Sequence, residues 1–176
     1  MNVDDARLRE VDAIASRVRL LSESRGDVQA AIVVGSYAYG RPRLDSDIDI
    51  VMAVVDRRPW LSDDAWVSQL LAEPLELVRG QAWGPLHERR FRTGSGFEVE
   101  FGLVTSEWFA TPVDPGTARV LTDGCLILAD RHGLARDALR WLAVPAAEWI
   151  GVHEGGSTKP PERQLTVRAS GVIRGR

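Results

Sequence analysis

A mixed α/β domain, with a mixed β-sheet flanked by helices, is the fold class this sequence predicts. Three observations predict it. Residues 4–24 carry a helical hydrophobic period, residues 28–34 and 48–55 are short apolar runs, and further helical and strand-like segments alternate after them. The 176 residues suit one domain, and 44% hydrophobic content is enough to build its core. The domain is expected to cover 1–144, with 145–176 as a flexible tail, because HEGGSTKPPERQ and VRASGVIRGR have no apolar period.

The elements follow in order. Leu8, Val11, Ile14, Ala15, Val18 and Leu21 form one stripe, with Arg and Glu between them, and Gly26-Asp27 ends that helix. VQAAIVV at 28–34 closes on Gly35, and IDIVMAVV at 48–55 is a second buried strand. A helix over 62–72 is expected, with Ser62 as its N-cap and Pro74 past its exit. HERRFR, the turn Thr93-Gly94-Ser95-Gly96 and FEVEFGLV read as a hairpin over 87–104. A short helix is expected at 106–110, another at 115–122, a strand at 125–130, and a helix at 132–143 with Leu134, Ala138 and Leu142 on one face.

Charge and composition exclude several functions. A net charge of -3 provides no bulk attraction for nucleic acid or an anionic membrane, and no template nucleic acid is expected. No apolar run approaches the roughly 20 residues needed to cross a bilayer, and MNVDDARLRE lacks a signal-peptide core. With a single cysteine, Cys125, read as a small core residue, the expected location is the cytoplasm. Lys159 is the only lysine among 22 basic residues, and Arg is the better bidentate phosphate ligand.

The chemistry concentrates in VVGSYAYGRPRLDSDIDIVM, residues 33–52. On a strand, Asp47 and Asp49 point the same way while Ile48 and Ile50 enter the core. Two adjacent carboxylates repel unless protonated or bridged by a cation, and Mg²⁺ is a hard bridge that leaves positions for phosphate oxygens. Gly35 lets backbone approach a phosphate, and Ser36 offers a hydroxyl and an N–H where a short helix starts. A two-metal phosphoryl-transfer site also draws a carboxylate from a neighbouring strand, and FEVEFGLV supplies Glu98 and Glu100 on one face.

Gly35-Ser36, ten residues, then Asp47-Ile48-Asp49 resembles the signature of the nucleotidyltransferase superfamily, which includes DNA polymerase beta, the aminoglycoside nucleotidyltransferases and the minimal nucleotidyltransferases. The resemblance covers roughly 5–143, and its specific part is 33–52 with the strand at 97–104. It implies a nucleotidyltransferase fold, two Mg²⁺ ions and transfer of a nucleoside monophosphate from an NTP, with ATP the expected donor, to an acceptor hydroxyl. Asp47, Asp49 and Glu100 would be the catalytic and metal-holding residues, with Glu98 the alternative third ligand or a base. Gly35 and Ser36 would hold phosphates. Where the family often shows Arg-Ala-Arg this chain has Tyr37-Ala38-Tyr39, which leaves Arg41 and Arg43 to meet the nucleotide.

The acceptor is expected to be a small molecule or a partner protein. A catalytically idle binding module, such as an antitoxin-like partner of a helical toxin, is the competing reading. The open hairpin edge offers a route to a homodimer. A calcium loop is excluded because its sixth position, which must be Gly, is Ile50. His87, His132 and His153 share no metal-ligand spacing, Arg89, Arg90 and Arg92 read as a solvated edge, and the tryptophans at 60, 66, 83, 108, 141 and 149 read as core and cap residues.

Overall fold

The computed structural model describes residues 4–148. Helix α1 (Asp5–Ser24) begins where the Asp4 carboxylate accepts the Arg7 backbone N–H at 2.8 Å, satisfying one of the free donors of the first turn. Its stripe of Val11, Ile14, Ala15 and Val18 is buried. Strand β1 (Val28–Val34) leads into a single turn, α2 (Gly35–Ala38), and β2 (Ile48–Val54) returns antiparallel to β1.

Two short helices follow, α3 (Arg58–Ser62) and α4 (Ala65–Leu71). Ser62 therefore ends a helix where a cap was expected, and its hydroxyl donates to the Pro59 carbonyl. The break falls at Asp63-Asp64, where the Asp63 side chain accepts the Ala65 N–H at 2.8 Å and so competes with helix continuation. Strand β3 (Glu76–Trp83), which periodicity does not announce, pairs with β4 (Leu86–Arg92), and β4 forms the expected hairpin with β5 (Glu98–Val104). The loop of that hairpin runs over 93–97, one residue longer than the Thr93–Gly96 turn. A 3₁₀ turn (Ser106–Phe109), α5 (Pro115–Asp123), β6 (Leu126–Asp130) and α6 (Leu134–Trp141) complete the alternation. The buried face of α6 is Ala135, Ala138 and Leu139, with Leu134 and Leu142 packed at its margins.

The sheet runs β3-β4-β5-β2-β1-β6-β7, where β7 (Ala147–Glu148) is a two-residue rung just past position 144. Of the tail expected over 145–176, residues 145–148 are described and include this rung, and 149–176, with Trp149 and His153, lie outside the described residues. Pairings are antiparallel except β2 with β5 and β6 with β7.

Both faces of the central strands are cored. On one, Ile48, Ile50, Met52, Val99, Phe101 and Leu103 pack with α1, Trp60 of α3 and Val67, Leu70 and Leu71 of α4. On the other, Ile32, Val34, Val51, Ala53 and Val104 meet Leu121 of α5 and Ala135, Ala138 and Leu139 of α6. This second core stops at Val104. The same face of β4 and early β5 carries Glu88, Arg90, Arg92, Glu98 and Glu100, so this part of the sheet face is polar and, among the described residues, faces no apolar layer. Trp60 and Trp108 are core residues, whereas Trp83 and Trp141 are more than half exposed, and Trp83 donates its indole N–H to Glu88. Cys125 is buried, and burial pushes its thiol up to about 12.

Candidate active site

The polar part of that sheet face holds the carboxylates. Asp47 stands at the entrance to β2, Asp49 is its second residue, and Glu100 is the third residue of β5. Parallel pairing puts Asp49 and Glu100 directly opposite each other. One oxygen from each of Asp47, Asp49 and Glu100 lies within 4.8 Å of the others. The alternation that buries Ile48, Ile50, Val99 and Phe101 on the opposite face is what turns the carboxylates outward together.

Gly35 closes the other side. Its φ of +68° is left-handed, and a Cβ there would stand 2.2 Å from Asp49 Oδ2. Only glycine lets α2 approach the carboxylate this closely. The Ser36 hydroxyl is buried and has no hydrogen-bond partner among the described residues. Arg41 and Arg43 lie on the exposed loop that follows: the Arg41 N–H donates to the Ser36 carbonyl, and the Arg43 guanidinium pairs with Asp45 at 3.1 Å. Among the described residues, neither guanidinium pairs with the three carboxylates.

Burial, with Asp47 and then Glu100 adding repulsion, pushes the Asp49 carboxyl up to about 7. Glu100 is also raised, chiefly by burial. Glu98 moves the other way, because Arg92 and then Arg90 hold its carboxylate below the usual range. Its Oε1 accepts from Arg92 at 2.8 Å and its Oε2 from Arg90 at 3.3 Å. So held, Glu98 is a weak proton acceptor.

Two residues that the sequence reading left outside the site belong to it. Arg90, read as part of a solvated edge, sits opposite Glu100 across the β4–β5 hairpin. Its Nη2 bonds Glu100 Oε2 and lies 2.8 Å from Asp47 Oδ2, and its side chain is 22% exposed. Burial works against its charge, but Glu100, Asp47 and Glu88 outweigh burial and raise its pKa further. Glu88 is 2% exposed and accepts from Arg79 Nε at 2.6 Å and from Trp83 Nε1 at 2.7 Å, next to Arg90 at 3.5 Å. The i, i+2 spacing of Glu88, Arg90 and Arg92 was the available signal. Beside Arg90 opens a cleft of about 430 Å³ lined by Arg7, Ser46, Asp47, Phe97 and Glu98.

Residues 15–82, from within α1 to the end of β3, match the family model of the nucleotidyltransferase domain. That match spans 68 of the 176 residues, and over this segment the chain is similar to nucleotidyltransferases. The segment matched to the nucleotidyltransferase model contains Gly35, Ser36, Asp47 and Asp49 and stops before Glu100. Among solved structures, this chain is similar to the Cid1 poly(U) polymerase at 18% identity and a TM-score of 0.42, over 58% of this chain and 32% of that one. It is similar to a cytoplasmic RNA terminal U-transferase at 16% identity and a TM-score of 0.44, over 70% and 37% of the two chains. It is also similar to an aminoglycoside 6-adenyltransferase from Bacillus subtilis at 11% identity and a TM-score of 0.40, over 56% and 36%. The chain spans about a third of the length of these structures. No curated protein matches its sequence. Among the described residues no helix is long and apolar enough to cross a membrane.

Proposed function

We propose that this protein moves a nucleoside monophosphate, AMP from ATP, onto a hydroxyl of a small molecule or a partner protein, with Mg²⁺ as its metal. The observation that carries this reading is the convergence of Asp47, Asp49 and Glu100 within 4.8 Å, against a glycine that leaves room for backbone approach. An all-carboxylate donor set is hard and anionic, which suits Mg²⁺, and the unpartnered Ser36 hydroxyl suits a phosphate oxygen. Mg²⁺ held there, as two ions, would lower the pKa of an acceptor hydroxyl and neutralise the departing pyrophosphate.

Asp47, Asp49 and Glu100 would hold the metal. The Gly35–Ser36 backbone N–H groups and the Ser36 hydroxyl would hold the β- and γ-phosphates, with Arg41 and Arg43 reaching them from the solvent side. The acceptor oxygen attacks the α-phosphorus in line, a new P–O bond forms, the α–β bridging bond breaks, pyrophosphate leaves, and the acceptor proton passes to solvent. Glu98, held by two arginines, serves better as a wall of the cleft than as a base.

Labelled ATP and Mg²⁺, offered with a panel of aminoglycosides and candidate partner proteins, test this through pyrophosphate release. Asp47→Asn and Asp49→Asn should each abolish turnover while the circular dichroism spectrum is kept, and full activity in either variant ends the assignment. A catalytically idle binding module is the second reading. The observation favouring it is Arg90, which already neutralises part of the acidic cluster. Titration with Mg²⁺-ATP separates the two, since metal-dependent nucleotide binding supports the enzyme and silence the module.

A further inference from the structure

The two oxygens that Arg90 Nη2 joins, Asp47 Oδ2 and Glu100 Oε2, belong to two of the three side chains that would hold a cation. A guanidinium nitrogen and a divalent ion cannot both occupy the space between them, because the two cations would stand within a few ångströms of each other in a partly desolvated site. Without Arg90, Asp47, Asp49 and Glu100 would face one another with Arg79, whose Nη2 lies 3.9 Å from Glu100 Oε2, as the remaining paired cation.

The Arg90 guanidinium touches two carboxylates outside that triad. Its Nη1 lies 3.3 Å from Glu98 Oε2 and its Nε 3.5 Å from Glu88 Oε1. Glu88 is fixed by Arg79 and Trp83, and Glu98 by Arg92. A modest swing therefore keeps Arg90 paired while it leaves the Asp47–Glu100 gap.

Resting on the metal-holding role just proposed, we infer that Arg90 is the resident counter-ion of the metal-free site and is displaced by the incoming cation toward Glu88 and Glu98. It thus acts as a positioning residue that sets metal affinity: part of the binding free energy of Mg²⁺ is spent on breaking the Arg90 contacts with Asp47 and Glu100. In the displaced position Arg90 stays on the wall of the cleft lined by Arg7, Phe97 and Glu98, where its charge faces whatever enters.

The test is calorimetric titration of Mg²⁺ into the EDTA-treated full chain, comparing the unsubstituted protein with Arg90→Met and Arg90→Lys. Arg90→Met should bind Mg²⁺ at least about tenfold tighter, since the competing charge is gone, and should melt lower in EDTA while gaining more from saturating Mg²⁺. Arg90→Lys, which keeps the charge, should stay closer to the unsubstituted protein. Equal or weaker binding by Arg90→Met overturns the inference and leaves the metal site standing. Absence of Mg²⁺ binding to every protein overturns the inference and the metal reading together. Should Arg90→Met fail to fold without metal, the Arg90 Nε–H resonance of the unsubstituted protein, assigned by its loss in Arg90→Lys, replaces it. A Mg²⁺-dependent shift supports displacement, and a resonance that stays in place overturns it.

Discussion

Gly35 and Asp49 are fitted so closely that a single added methyl group at position 35 would stand 2.2 Å from Asp49 Oδ2. Gly35→Ala therefore has to move the carboxylate or the α2 turn, and it also forces a left-handed φ on alanine at a cost of about 1–2 kcal/mol. Mg²⁺ affinity and turnover should both collapse, while far-UV circular dichroism and the sheet remain. Unchanged Mg²⁺ binding in this variant would contradict the placement of α2 against the site.

Ser36→Ala separates a phosphate ligand from a structural residue. The Ser36 hydroxyl is buried without a partner, so its removal should cost the nucleotide-free protein nothing and could stabilise it slightly. ATP affinity should fall by about tenfold, the worth of a charge-assisted hydrogen bond. A variant less stable in urea and equally good at binding ATP would assign the hydroxyl to the fold.

Asp49 gives the metal-free protein a pH dependence. Its carboxyl is raised to about 7 in the folded chain, above its ordinary value of 3.8, so the folded state binds the proton more tightly than the unfolded one. The stability that this proton contributes is complete below the unfolded value and is lost as pH rises toward 7. Thermal melts in EDTA should fall between about pH 4 and pH 7 from this group and flatten above, and Asp49→Asn should remove that slope. Mg²⁺ binding must expel the proton, so its affinity should rise over the same interval and then level off.

Glu88 is a charge enclosed by design of the surrounding strands, with Arg79, Trp83 and Arg90 around it. Glu88→Ala leaves these donors without their acceptor and should lower the unfolding free energy by about 2 kcal/mol. Glu88→Gln keeps the shape and should lose less. Urea denaturation of the two variants checks the order, and a neutral Glu88→Ala would mean that water replaces the carboxylate fully.

Helix α1 and strands β1 and β2 were legible because each is buried in a pattern that matches its period, from the Val11–Val18 stripe to the runs ending at Val34 and Val54. Strand β3 was not, because all eight of its residues are exposed and Gly80 interrupts it, so no alternation of burial is imposed on the sequence. The paired acids Asp47 and Asp49 stood out by spacing alone. That Glu100 meets them depends on parallel β2–β5 pairing between distant segments, which spacing does not encode. Arg90 was missed for a reason of parity. A loop over 93–96 would turn it to the wrong face, and the fifth loop residue, Phe97, restores it opposite Glu100.

The in-register rung of Asp49 and Glu100 ties ionic chemistry to hydrophobic packing. If β5 slipped by a single residue along β2, Phe101 would be thrust among the acids and Glu100 into oil. Ile48, Ile50, Val99 and Phe101 therefore police an error that the carboxylates, which repel one another, could never correct for themselves. A greasy underside proofreads the alignment of a charged top.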